Sequence, residues 1–196
     1  MITIVDEAPE HFGARERLLD LCFGDERFAK TSERVREGRL PVFAFSALVE
    51  TGTLAGTVRL WSVADRNGCH SLLLGPLAVA PCHQGRQVGD RLIRHALGQA
   101  ATRGHGSVIL VGDPAYYERF GFAGGLLGGA SLPGPVDTNR FLGLELVAGS
   151  LSGLSGELTG TGIADPAHSL AVPGRGLFLP NASNGAQSGK KPQVNT

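Results

Sequence analysis

The amino-acid sequence predicts an α/β (α+β) fold on one mixed sheet. Two patterns carry this: strand-like segments run as a meander in the first half of the chain, then alternate with helical ones in the second. A third is the junction "LAVAPCHQGRQVGDRL", Leu77 to Leu92, which reads as the end of a buried strand, a tight loop and the start of a helix.

Each element follows from local spacing. Ile2 to Val5 is a short strand, and Ala14 to Phe23 a helix with Leu18, Leu19 and Cys22 on one side. "RFAKTSERVREG" is a more charged helix stopped by Gly38. "PVFAFSALVETGTLAGTVRLWSVAD" alternates as two strands around a turn from Thr51 to Leu54. Arg59 and Trp61 in the second of these are expected on opposite faces, each more suited to packing than to a site. Leu72 to Val79 is an apolar run broken only by Gly75 and Pro76, and Pro81 ends it. Val88, Leu92, Ala96 and Ala100 then line one helix face, with Arg91, Arg94, His95 and Gln99 opposite. "HGSVILVGD" is a further buried strand. Asp113 caps a short helix that opens with Pro114. "AGGLLGGASLPGP" is a loop or irregular strand, and "RFLGLELV" a late strand.

One domain is expected over residues 1–172. From Pro173, and more clearly from Asn181, the chain is polar, rich in small residues and aperiodic, so residues 173–196 are expected to be a disordered tail. The charges balance at 18 basic and 18 acidic residues with no basic block, which gives no electrostatic support for a nucleic-acid or membrane partner. Cys22, Cys69 and Cys82 are odd in number and lack paired-ligand spacing, so they read as reduced thiols and no metal site is predicted. With no signal peptide or membrane-length apolar run, a cytoplasmic location is expected.

The loop from Gln84 to Gly89 delivers unpaired backbone N–H groups at a helix N-terminus, which also carries the positive end of the helix dipole. Gly85 and Gly89 remove side chains from that surface and Arg86 adds charge, an arrangement suited to a diphosphate. A glycine-containing turn with no ligand is the plainer alternative. A nucleotide loop of the Walker type is disfavoured, because Gly89 is followed by Asp90 and Arg91 and not by Lys-Ser/Thr.

These same residues resemble the GCN5-related N-acetyltransferase (GNAT) superfamily, in particular its YhbS-like branch. "LAVAPCHQGRQVGDRLI" is similar to the family's pyrophosphate loop, with Gln84 and Gly89 at its ends and Gln87 where the family usually has its first glycine. "VILVGDPAYYERFGF" is similar to its Tyr-x-x-x-Gly-Phe helix through Tyr117, Gly121 and Phe122. The resemblance covers about Ile2 to Gly162 and implies a centrally splayed sheet flanked by helices. It also implies acetyl-coenzyme A as cosubstrate, an amine acceptor, direct acetyl transfer in a ternary complex, and room for a homodimer. By position, it assigns Leu77, Ala78 and Val79 to the pantetheine arm. Gln84, Gly85, Arg86, Gln87, Val88 and Gly89 fall to the diphosphate, and Tyr117 is the catalytic hydroxyl. Tyr116 and Phe120 are expected to pack. Gln87 is expected at a helical, negative φ, where glycine would serve only to make room for phosphate. A degenerate, non-catalytic coenzyme A-binding module is the alternative that Gln87 raises. Glu50, Asp65, His70 and His83 have the chemistry of a general base, and nothing in the sequence chooses among them.

Overall fold

A computed structural model describes residues 1–166. The expected tail and the last residues of the expected domain lie outside the described residues. The strands are β1 (Ile2–Asp6), β2 (Phe43–Val49), β3 (Leu54–Ala64), β4 (His70–Val79), β5 (Ser107–Val111), β6 (Gly129–Ser131), β7 (Phe141–Glu145), β8 (Ser155–Glu157) and β9 (Thr159–Gly160). The main sheet has seven strands in the order β1-β2-β3-β4-β5-β7, with β9 paired to the far end of β3. All its pairings are antiparallel except β4 with β5, and β6 and β8 form a separate parallel pair.

The helices are α1 (Phe12–Phe23), α2 (Thr31–Arg36), α3 (Val88–Thr102) and α4 (Pro114–Tyr117). The charged segment from Arg27 to Gly38 is not one helix: Lys30 adopts extended backbone (φ −66°, ψ 138°) and separates a 3₁₀ turn, Asp25–Ala29, from α2.

Each face of the sheet has its own apolar layer. Val88, Leu92, Ile93, Ala96 and Ala100 of α3 pack on Phe45, Val58, Leu72, Leu74, Val108 and Leu110. This is the face that the helical spacing predicts. On the other side Trp61, Val63, Leu73, Ile109 and Phe141 meet Val35 of α2 and the leucines of the C-terminal loops. Leu18 and Leu19 of α1 cover Ala78.

Arg59 and Trp61 do not face opposite sides as expected. Residues two apart on a strand share a face, and the Arg59 guanidinium carbon lies 5.9 Å from the Trp61 ring centre. Among the described residues no helix is long and apolar enough to cross a membrane.

Candidate active site

The site begins where β4 changes character. Leu72 and Leu73 pair with Val108 and Ile109 of β5, and on their other side with β3. Past Leu74 the pairing with β3 resumes at Leu77, but that with β5 stops, although β5 runs on through Leu110 and Val111. The two parallel strands part and leave a notch, so the central splay that the resemblance implies is present.

The alternation of the antiparallel ladder decides which backbone groups face it. The Ala80 N–H donates to the Ala55 carbonyl at 2.9 Å, and the same register sets Ala78 opposite Thr57. Ala78 therefore turns its N–H and C=O toward β3, while Leu77 and Val79 turn theirs away, into the notch. The Val79 carbonyl is already met there by Gln84 Nε2 at 3.3 Å and Cys22 Sγ at 3.6 Å.

After β4, a 3₁₀ turn from Pro81 to His83 leads into the loop. Gly85 has φ +73° and Gln87 has φ +58°, ψ 20°. Gln87 is the only non-glycine residue at positive φ among the described residues, which overturns the expectation of a negative φ. The reason is its place: Gln87 is the N-cap, one residue outside the helical dihedrals, and the chain turns through left-handed backbone to enter α3. A residue with a Cβ costs roughly 1–2 kcal/mol there. Glycine at this position would thus serve the backbone first and the phosphate second. The Arg91 N–H bonds the Gln87 carbonyl at 3.0 Å and opens the helical ladder. The N–H groups of Val88, Gly89 and Asp90 consequently lack intrahelical acceptors. With left-handed residues just before them, they form a concave N–H surface of the kind that can accept an anion.

A cleft of about 510 Å³ opens on this surface, lined by Val79, Gln84, Gly85, Gln87, Val88 and Gly89, with Tyr116 and Arg119 across from them. Arg86 faces a neighbouring cavity of about 440 Å³ beside Arg91 and Glu50. Leu77 and Ala78 stand farther up β4.

The glycine at 89 has a local cause as well. A Cβ there would stand 2.6 Å from the Tyr116 hydroxyl oxygen. That hydroxyl donates to Asp90 Oδ1 at 3.3 Å, Arg119 Nη2 donates to the same oxygen at 2.7 Å, and the guanidinium lies 4.1 Å over the Tyr116 ring. Tyr116 packs on Phe120 as expected, but its polar end also reaches the cleft. Asp90 and Arg119 carry no motif of their own in the sequence. The signal lay in the three-residue spacing of Tyr116 and Arg119, which puts them on one side of a helical turn.

Tyr117 lies just past β5, at the end of α4, and is not among the residues lining the cleft. Its ring is wedged against Gly112, where a Cβ would fall 2.2 Å from Tyr117 Cε2, and meets Phe122 edge-on at 5.8 Å. Burial, with Tyr116 adding to it against the opposing Arg140, pushes the phenol well above its ordinary range, so it remains a proton donor. Asp113 caps α4 through the Ala115 N–H at 3.1 Å.

The candidate bases are dispersed. Glu50 pairs with the terminal ammonium at 3.0 Å. Asp65 accepts from the N–H groups of Asn67, Cys69 and Ser155 at 2.8, 3.0 and 3.0 Å and so holds the β3–β4 turn. His70 is exposed at the start of β4. His83 lines both cavities, with its Nδ1 buried and unpartnered. Among the described residues no cluster of His, Cys, Asp and Glu forms a metal site.

Residues 43–123, which hold the notch and the loop, match the family model described as "Acetyltransferase (GNAT) domain". The chain is 30% identical over 109 residues to the uncharacterized N-acetyltransferase YhbS of Escherichia coli K12. That match covers 55% of this chain and 65% of the relative's length. Among solved structures, YhbS of Escherichia coli in complex with CoA superimposes with a TM-score of 0.71 at 24% identity, covering 82% of this chain and 89% of that one. A GNAT-family acetyltransferase from Brucella melitensis in complex with acetyl-CoA gives 0.58 at 22% identity, covering 74% and 88%. Motifs, fold and family model point the same way: residues 43–123 are similar to the GNAT domain, and the chain resembles YhbS-like N-acetyltransferases in sequence and fold.

Proposed function

We propose that the protein is an acetyl-CoA-dependent N-acetyltransferase that works by direct attack of an amine within a ternary complex. The observation that carries this reading is the half-open β4, whose Leu77 and Val79 backbone groups face a notch. That notch runs into the N–H surface at the start of α3. An arm containing amides pairs with such an edge as an added strand would, at about 1 kcal/mol net per bond. The diphosphate, held at Gly85 and Gln87 to Gly89, supplies much of the remaining affinity. Arg86, in the adjoining cavity, contributes charge from the side. The similar proteins are N-acetyltransferases by name, and two of their structures hold CoA and acetyl-CoA, which supports the same donor.

The donor supplies an acetyl group activated as a thioester. The Leu77 N–H, turned into the notch, polarises the acyl oxygen. Tyr117 faces the sulfur. A free phenol titrates near ~10 and a thiol near ~8.5, so full proton transfer is uphill by ~2 kcal/mol. Burial of Tyr117 widens that gap. Its hydroxyl therefore acts by a hydrogen bond that strengthens as charge develops on sulfur.

Thermal unfolding with and without millimolar CoA tests the reading. A ligand of the folded state at 100 times its Kd adds about 2.7 kcal/mol. Gly89→Glu should remove the CoA shift while leaving the weak binding of pantetheine, which lacks the diphosphate. An unchanged CoA shift in Gly89→Glu takes the diphosphate away from this loop. No shift in ligand-free wild type overturns the proposal. CoA binding without CoA release across a panel of amines leaves a non-catalytic CoA-binding module.

A further inference from the structure

A second, smaller cavity of about 110 Å³ lies at the foot of the notch, between the α1–α2 segment and the parted strands. Lys30, Ser32, Glu33 and Arg36 line it on one side, Pro76 and Val111 on the other. Pro76 precedes Leu77, and Val111 precedes the Gly112 that carries the Tyr117 ring. The cavity thus adjoins the place where the acyl group is proposed to lie.

Its charges do not balance. The lining cations are Arg27, Lys30 and Arg36, against Glu33 as the carboxylate. Arg27 is satisfied by Glu16 at 2.6 Å and Asp20 at 2.9 Å. Lys30 is exposed, its ammonium 4.5 Å over the Phe23 ring, with no ion pair among the described residues. Arg36 is only 7% exposed and commits one nitrogen, Nη2, to Glu33 at 2.6 Å and Ser32 at 3.5 Å. Its Nε is buried without a partner, while the guanidinium's bonds to Glu33 and Ser32 both run through Nη2. Nη1 stands 3.7 Å from where a Cβ on Gly75 would be, an ordinary contact distance, which sets the guanidinium beside the bend of β4.

A buried guanidinium with N–H groups to spare is costly until an anion meets it, and Arg recognises carboxylates through directed, charge-assisted bonds. Burial also pushes the Arg36 pKa down, against the pull of Glu33, as expected of a charge short of compensation. The volume matches about three or four waters at ~30 Å³ each, room for a carboxylate and a short carbon stem.

We infer that the amine acceptor carries a carboxylate, which Arg36 Nη1 holds at the foot of the notch with Lys30 beside it. The inference rests on the reading of the notch as the acetyl-CoA site. It makes the substrates short amino acids, oriented with the amine toward the Leu77 N–H and the acid toward α2.

Titration calorimetry on protein saturated with CoA tests this without turnover. The probes are N-acetylglycine, N-acetyl-β-alanine and N-acetyl-4-aminobutyrate, each against its primary amide. At least one acid should bind 10-fold or more tightly than its amide. Arg36→Gln should weaken that acid roughly 10- to 100-fold and leave the amide unchanged. Lys30→Gln, at an exposed site, gives a smaller loss in the same direction and serves if Arg36→Gln does not fold. The CoA-induced shift should be equal in all variants. Acids and amides that bind alike, or acids that fail to bind a protein that binds CoA, overturn the carboxylate site alone. A protein that does not bind CoA removes the acetyl-CoA reading and this substrate assignment with it.

Discussion

The two halves of β4 have similar composition and different fates. Ser71 to Leu74 pairs with β3, Leu72 and Leu73 pair with β5 as well, and all four side chains are buried. Leu77 to Val79 is bonded to β3 alone, and two of its three residues remain half-exposed. The first half is core. The second is a sheet edge in the middle of a sheet, open because β5 ends its pairing with β4 early. An unpaired edge is normally a liability, so its placement beside the α3 N-terminus points to a ligand as its partner.

Substitutions sharpen this contrast in order of size. Leu73→Ala, in the closed half, should cost about 2–5 kcal/mol by leaving a cavity. Leu77→Ala should cost about 1 kcal/mol. Urea unfolding of the two variants measures the gap, and equal losses would erase the distinction.

Tyr117→Phe probes the open half directly. The ring that packs on Gly112 and Phe122 is retained, so stability and CoA binding should hold. Single-turnover acetyl transfer should fall roughly 10²-fold or more. A wild-type rate would return Tyr117 to packing alone.

Gln87→Gly should stabilise the fold by about 0.5–1 kcal/mol: relief of roughly 1–2 kcal/mol of left-handed strain, less the unfolded-state entropy of glycine of about 0.5–1 kcal/mol. CoA affinity should be kept or improved. A lower Tm would mean that the Gln87 side chain stabilises the loop more than its backbone strains it.

The smallest effect is expected far from the notch. Burial alone would raise the Asp65 carboxyl, but bonds from the Ser155, Cys69, Asn67 and Gly68 N–H groups hold it below the usual range. Its stabilisation is therefore complete above the unfolded value near ~3.9 and disappears as pH falls through the lower folded one. The urea midpoints of wild type and Asp65→Asn should differ at pH 7 and converge below about pH 4, with no change in the CoA shift. A gap independent of pH would exclude the carboxylate charge as its source.

The sequence by itself determined the elements whose signals are local. The spacing of Val88, Leu92, Ala96 and Ala100 places α3 on the sheet, Asp113 before Pro114 starts α4, and Pro81 ends β4, each through neighbours within one or two turns of chain. It also determined which residues make the loop, since the glycines and the helix start are contiguous. Tertiary structure alone decided what those residues meet. Gln87 is left-handed because of how the chain enters α3 from a strand parted from its neighbour. Gly89 is small for the sake of Tyr116, far along the chain. Arg36 looked like one more charge on a polar helix. It became a buried, under-bonded cation when α2, broken at Lys30, packed on Trp61 and Gly75. Periodicity records whether a side chain turns inward. It does not record which strand edge or which partner waits there, because such contacts join segments tens of residues apart whose pairing is fixed only when the sheet closes.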